Sequence, residues 1–338
     1  MKKNKILVTG GLGFIGSHTV VELQKKGFDV VIIDDLSNTR IEVLDGITAI
    51  TNIRPEFVQM DLKEKEEVTS FFAQHSIDGV IHFAASKAVG ESVEQPLKYY
   101  ENNISTLVYL LKSMIENKVP HLIFSSSCTV YGQADELPIT ENAPVKKAES
   151  PYGNTKQMGE EIIEDVTKVE DLNAIALRYF NPIGAHESVE IGELPLGVPQ
   201  NLIPYVTQTA AGIREELSVF GDDYPTADGT AVRDYIHVVD LAKAHIVAME
   251  RLLAAKNKSK MEYFNLGTGT GSSVLDVIHA FKKANGIDIK YKIVARREGD
   301  ITAAYANTKL ANEVLGWKAE LGLKEALASA WQWQLKQK

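Results

Sequence analysis

Through the first half of the chain, short runs of apolar and β-branched residues alternate with longer stretches in which apolar residues recur every three or four positions. The runs KILVTG, DVVIID, EFVQM, GVIHFA, HLIFSSS and NAIALRYF are almost continuously hydrophobic, as strands buried on both faces of a parallel sheet must be. Between them, residues 17–26, 64–75 and 92–117 carry helical spacing. The last stretch sets Val93, Leu97, Tyr100, Ile104, Leu107, Val108, Leu111 and Ile115 along one face. Strand and helix in alternation predict an α/β fold, a doubly wound parallel sheet.

After Phe180 the texture changes. Residues 181–234 are rich in Gly, Pro and short polar turns, as in NPIGAHES, GELPLGVPQN and GDDYPTADGT, a composition suited to loops organised around a ligand. VVDLAKAHIVAMERLLAA then restores a helical pattern, and the C-terminal part alternates short elements again. Two domains are expected: residues 1–181 with a returning segment near 235–256, and a smaller, discontinuous lobe from 182–234 and 257–338. There are no repeats or low-complexity tracts.

Composition narrows the classes. With 338 residues the chain can bury a large core, and 44% hydrophobic with 24% charged residues describe a soluble globular protein. A net charge of -9 argues against nucleic acid as a partner, so an anionic ligand would need a local basic site. The single cysteine, Cys128, excludes an internal disulfide and fits a reducing compartment. In the opening MKKNKILVTGG the apolar run is too short for a secretory leader and reads as a first strand. No stretch approaches the roughly 18 apolar residues of a membrane span, and a cytoplasmic location without membrane contact is expected. The histidines show no ligand spacing with Cys or carboxylates, so no metal site is expected.

The segment VTGGLGFIGSH follows the first strand and opens the first helix, with Gly10, Gly13 and Gly16 spaced GxxGxxG. Such a turn needs glycine dihedrals, a pyrophosphate can approach only a backbone without Cβ, and a helix N-terminus offers free N–H groups. Asp34 ends the second strand, where a carboxylate can bond a ribose 2′-hydroxyl, which completes a Rossmann dinucleotide pattern. Asp35 beside it would repel a 2′-phosphate, favouring NAD over NADP. Asp61, in QMDL, either meets the adenine edge or serves as an ordinary turn residue.

In SPYGNTK, Ser150 is a good N-cap and Pro151 suits the first helical position, so Tyr152 and Lys156 lie one turn apart on one face. A free tyrosine has a pKa near ~10; lowering it by about three units requires ~4 kcal/mol, which a neighbouring ammonium and the cationic ring of an oxidised cofactor could supply. The SSS of residues 125–127 ends the fifth strand, at the sheet edge where ligands of open α/β folds bind. A hydroxyl, a phenolate and a lysine there suit removal of a hydride and a proton from a carbinol.

The glycine loop, the Ser127, Tyr152 and Lys156 set, KAVGESVEQPLKYYENN, RYFNPIGAH, VRDYIHVVDLA and RREGD together resemble the extended short-chain dehydrogenase/reductases, and within them the UDP-glucose 4-epimerases. The match runs from the first strand to LGW at Leu315–Trp317. The resemblance implies an isomerase that keeps NAD bound. Tyr152 would take the proton from the sugar 4-hydroxyl while the C4 hydride goes to NAD, and the 4-keto sugar would turn and receive it back on its other face. Ser127 would bond the reacting oxygen, and Lys156 would hold the nicotinamide ribose.

By the same resemblance, Gly10, Gly13, Phe14, Ile15, Gly16, Asp34, Leu36, Asn38, Asp61, Leu62, Phe83, Ala84, Lys87, Asn102, Ser125 and Tyr179 serve the cofactor. Lys87 would contact its phosphate and border the substrate. Asn181, Asn201, Leu202, Phe220, Arg233, Tyr235, Arg297 and Asp300 would hold the UDP part, and two arginines can clamp a diphosphate through forked hydrogen bonds. Ala304 stands where a bulky tyrosine is common in bacterial relatives, beside the sugar C2 substituent, which implies room for N-acetyl sugars. A homodimer through residues 92–117 and the helix opened by Ser150 is also implied. A dehydratase would need a further acid and base, and the chain has Ser127 and Cys128 rather than an Asp-Glu pair there. A cofactor-releasing reductase would share the fold, as would a dinucleotide-sensing protein, although a sensor has no use for a tuned base.

Overall fold

The computed structural model describes residues 3–297 and 300–337; Glu298 and Gly299 of RREGD lie outside the described residues. In chain order the elements begin β1 (Lys5–Thr9), α1 (Phe14–Lys25), β2 (Asp29–Asp34), α2 (Val43–Thr51), β3 (Glu56–Gln59), α3 (Lys65–Gln74) and β4 (Gly79–His82). Next come α4 (Val89–Glu94), α5 (Pro96–Tyr100), α6 (Thr106–Glu116), β5 (His121–Ser127), α7 (Pro151–Val169), β6 (Asn173–Tyr179), β7 (Asn181–Ile183), α8 (Leu202–Ala210) and β8 (Leu217–Phe220). The chain ends with β9 (Val232–His237), α9 (Val238–Leu253), β10 (Met261–Leu266), β11 (Gly271–Ser273), α10 (Val274–Asn285), β12 (Tyr291–Val294), β13 (Ala303–Ala304) and α11 (Leu323–Lys336).

Contacts group the chain into two compact units: residues 1–132, 145–178 and 242–264, and residues 133–144, 179–241 and 265–338. The first is framed by a seven-stranded sheet in the order β10-β6-β5-β4-β1-β2-β3. The pairings of β1 with β2 and β4, β2 with β3 and β4 with β5 are parallel. Ile6, Leu7, Val8, Val31, Val80, Ile81, Leu122 and Ile123 have no exposed surface, the covering on both faces that their hydrophobic runs require. Strand order reverses at β1 and β4, and the crevice beyond their carboxyl ends is where such sheets take ligands.

The second unit has its own core, with Ile203, Val206, Val219, Tyr235, Phe281, Leu327 and Trp331. Its sheets are β11-β9-β13 with β7 beside β9, and the pair β12-β8. The unit boundaries differ from the expected 181 and 235–256. Residues 133–144 group with the second unit because Ile139 bridges Ala306, accepts from Asn307 N and donates to the Tyr305 carbonyl. Residues 257–264 group with the first because β10 extends the large sheet beside β6.

Residues 92–117 do not form one helix. Pro96 cannot donate to the ladder of α4 and instead opens α5, and a π-helical turn at Glu101–Ser105 separates α5 from α6. The expected apolar face divides there. Leu107 and Leu111 are buried, whereas Val93 is 61% and Leu97 80% exposed.

Candidate active site

The glycine loop is set by close approach. Gly10 has φ 65°, its N–H donates to the Ile33 carbonyl at 2.7 Å, and a Cβ there would meet Ala84 N at 2.8 Å. A Cβ on Gly16 would overlap the Gly10 carbonyl oxygen, so only glycine lets α1 start this near the strand. Gly13 is the N-cap of α1, without a side-chain cap or an acidic residue in the first turn, and the backbone of Phe14 and Ile15 follows it. A helix start of this kind suits a pyrophosphate.

Asp34 is 6% exposed and accepts from Leu12 N at 3.1 Å, Leu36 N at 3.0 Å and the Thr39 hydroxyl at 2.8 Å. Three donors leave one lone-pair site of the carboxylate for a ribose hydroxyl. Burial raises its pKa, opposed by those hydrogen bonds. Leu36 adopts a left-handed backbone with φ 61°, strain held by its bond to Asp34. Asp35 turns to Ser37, and Asn38 is exposed. These features fit a dinucleotide.

Asp61 accepts from Lys63 N at 2.9 Å, which makes it a turn residue in this structure, two positions beyond the end of β3. Leu62 is 4% exposed within the first core, so only its backbone is left to serve a ligand. At the end of β4, Phe83 lies 4.8 Å from the His245 ring, Ala84 faces Gly10, and Lys87 is exposed. Asn102, in the π-turn, donates to the Ser86 hydroxyl at 3.2 Å.

The expected catalytic trio is held by local structure. The Ser150 hydroxyl accepts from Gly153 N at 3.1 Å and Pro151 follows, which puts Tyr152 in the first turn of α7. Ser127 accepts from Thr129 N at 3.2 Å, and its hydroxyl favours the ionised form of the Tyr152 phenol. Lys156, 4% exposed, donates from Nζ to the Ser125 carbonyl at 2.7 Å and lies 5.8 Å from the Tyr152 ring centre. Burial pushes the Tyr152 phenol up to about 12, with the Ser127 hydroxyl acting the other way. Burial also brings the Lys156 amine down to about 8, opposed by Glu160. In the protein alone, then, desolvation outweighs the ammonium, which sits over the phenol ring.

In the second unit, Arg297 forks onto Asp300, with Nε at 3.1 Å and Nη2 at 2.9 Å, and Arg233 Nη2 is 3.7 Å from the same carboxylate. The Arg297 guanidinium lies 5.6 Å from the centre of the Phe220 ring. The two expected clamp arginines are thus neutralised by the acid expected to hold the ribose. Asn181 pairs in register with Tyr235, a buried residue whose phenol burial raises to about 12. Asn201 is exposed and donates to Glu193 at 2.6 Å, Leu202 packs against the second core, and Tyr179 is 6% exposed. Ala304 is 2% exposed on β13, opposite Arg233 on β9.

Asp234 escaped the reading of the sequence. Fully buried next to Arg233, it accepts from Thr268 N, Gly269 N and Ala306 N at 2.8, 3.0 and 3.1 Å, tying two loops to β9. An acid directly before the apolar Tyr235 and Ile236 in VRDYIHVV was the available signal.

Comparison with known proteins identifies the family. A family model described as GDP-mannose 4,6 dehydratase matches residues 7–330. A UDP-glucose 4-epimerase of Bacillus subtilis is 50% identical over 330 residues, covering 97% of this chain and 96% of the relative. That of Mus musculus is 50% identical over 337 residues, 98% and 96% of the two chains. The solved epimerase of Stenotrophomonas maltophila, with bound NAD and formylated UDP-arabinopyranose, superposes with a TM-score of 0.95 at 47% identity over 99% of each chain. A Campylobacter jejuni structure described as a UDP-Glc/GlcNAc 4-epimerase has a TM-score of 0.84 at 34% identity, covering 98% of this chain and 99% of that one. Near-full-length identity of this order shows that the chain belongs to the UDP-glucose 4-epimerase family.

Proposed function

We propose that this protein interconverts UDP-glucose and UDP-galactose by inverting the sugar at C4, with NAD as a recycled cofactor. The observation that carries the reading is the Ser127, Tyr152 and Lys156 set, built on β5 and α7 of the unit that also holds the uncapped glycine loop. NAD, when bound, accepts and returns the C4 hydride and supplies a cationic ring that favours the phenolate. The backbone at Gly10, Gly13, Phe14, Ile15 and Gly16 would hold its pyrophosphate, and Asp34 a ribose hydroxyl. Tyr152 takes the proton of the sugar 4-hydroxyl at its Oη and gives it back after the sugar has turned. Ser127 orients that phenol, and Lys156 opposes its reprotonation as a positive charge. Arg233 and Arg297 exchange Asp300 for the diphosphate and free the carboxylate for ribose hydroxyls.

Turnover of UDP-glucose deuterated at C4 tests the chemistry. The UDP-galactose formed should keep its deuterium at C4 in ordinary water; loss of the label to solvent would contradict hydride return. Acceptance of UDP-N-acetylglucosamine belongs to the same reading, supported by the small side chain of Ala304 opposite Arg233. Ala304→Tyr should abolish that activity and spare the hexose activity; survival of both would end the idea. A homodimer is supported by Val89, Val93 and Leu97, which are 42%, 61% and 80% exposed along α4 and α5. A monomeric mass by light scattering would count against it. A cytosolic location is supported by the single cysteine.

A further inference from the structure

One turn beyond Lys156, α7 carries a second buried ionic group. Glu160 and Arg178, the latter on β6, are each 5% exposed. Arg178 forks onto the carboxylate, Nε to Oε1 at 2.9 Å and Nη2 to Oε2 at 2.6 Å. Its Nη1 donates to the Tyr131 hydroxyl at 2.9 Å, and the guanidinium lies 5.0 Å from the Tyr131 ring centre and 4.6 Å from that of Tyr263. The Ser126 hydroxyl donates to Glu160 Oε1 at 2.5 Å. Strand β5, strand β6 and helix α7 therefore meet at one carboxylate.

Ser126 is flanked by Ser125, whose carbonyl takes the Lys156 ammonium, and by Ser127, whose hydroxyl favours the Tyr152 phenolate. A slip of α7 along β5 would break all of these contacts together. Stability alone explains such a pair poorly, because apolar residues of the same shape usually do as well as a buried ion pair. Its distinctive properties are fixed geometry and charge. The groups facing Lys156 are the Ser125 carbonyl and Phe124 ring on β5, Tyr152 and Glu160 on α7, and His82 on β4. Burial drives His82 down to about 3 and so keeps it neutral, and Tyr152 is a neutral phenol until it acts. Glu160 supplies the opposing negative charge.

We propose that the Glu160–Arg178 pair is a positioning device for the reaction: it locks α7 in register with β5 and holds a fixed negative charge that keeps Lys156 an ammonium beside Tyr152. Its catalytic consequence rests on the epimerase reading, whereas the charge on Lys156 can be read without turnover. The test compares the wild-type holoenzyme with Glu160→Gln, Glu160→Asp and the double variant Glu160→Gln/Arg178→Met. Glu160→Gln keeps the shape of the side chain and leaves Arg178 an uncompensated cation.

In Glu160→Gln the alkaline limb of the kcat/KM profile for UDP-glucose should move down by about one pH unit, a ~tenfold loss at alkaline pH that acidification restores. Glu160→Asp should keep the limb where the wild type has it. The double variant, in which neutral groups of similar volume replace the pair, should shift the limb the same way by less. It carries the test if Glu160→Gln does not fold. The Lys156 ε-carbon resonance, assigned with Lys156→Met, should titrate at lower pH in the same variants. Uniformly reduced activity with the limb and the resonance unmoved would mean a merely structural pair and overturn the proposal. Absence of wild-type turnover would sink the epimerase reading instead, and the resonance would still decide the role of Glu160.

Discussion

Replacing Lys156 by methionine should stabilise the cofactor-free protein near neutral pH relative to its effect at alkaline pH. The amine is 4% exposed, and burial holds it at about 8 against an ordinary value of 10.5. That separation of about 2.5 pH units is worth about 3 kcal/mol. The sign follows from proton linkage. Because the folded state binds the proton less tightly than the unfolded state, Lys156 weakens the fold below its folded pKa, and the penalty is lifted as pH rises between the two values. From about pH 7 to about pH 9.5 the wild type should therefore gain about 2 kcal/mol relative to Lys156→Met, before Tyr152 begins to ionise. Loss of the Nζ bond to the Ser125 carbonyl offsets the whole comparison by about 1 kcal/mol without changing its slope. Denaturant unfolding of both proteins across that range measures the difference directly. A difference independent of pH would refute the argument, since Lys156 would then titrate as an exposed lysine does.

Tyr152→Phe should lower kcat by about 10²–10⁴-fold, as loss of a general acid–base group does, while NAD remains bound to the purified protein. A kcat within a fewfold of wild type would remove Tyr152 from the chemistry and revive the sensor reading. Gly16→Ala must push α1 away from the Gly10 carbonyl, at a cost of about 1–3 kcal/mol in stability, and should weaken NAD retention. An unchanged melt with full NAD content would show that α1 yields more easily than its packing suggests.

Much of the first unit was legible because its signals are local. Hydrophobic runs located the strands, glycine spacing located the dinucleotide turn, and Ser150 with Pro151 set Tyr152 and Lys156 on one face within a single short segment. Signals that depend on distant parts of the chain were lost. Pro96 was visible inside residues 92–117, yet the helical periodicity around it hid the break and the outward turn of Val93 and Leu97. Residues 133–144 fell inside the expected first domain, 1–181, because the pairing of Ile139 with Ala306 joins remote segments. Leu62 has only its backbone to offer a ligand, because its side chain belongs to the core. Glu160 and Asp234 looked like two acids among many, since an acid shows its role only through the donors that converge on it, from β6 and Ser126 in one case and from residues 268, 269 and 306 in the other.

Epimerisation at C4 with a retained cofactor is tested most directly by proton NMR of the purified protein incubated with UDP-glucose and no added NAD. The anomeric signal of UDP-galactose should grow until it reaches a fixed ratio with that of UDP-glucose, and starting from UDP-galactose should lead to the same ratio. A spectrum that stays unchanged, even after NAD is supplied, would contradict the account.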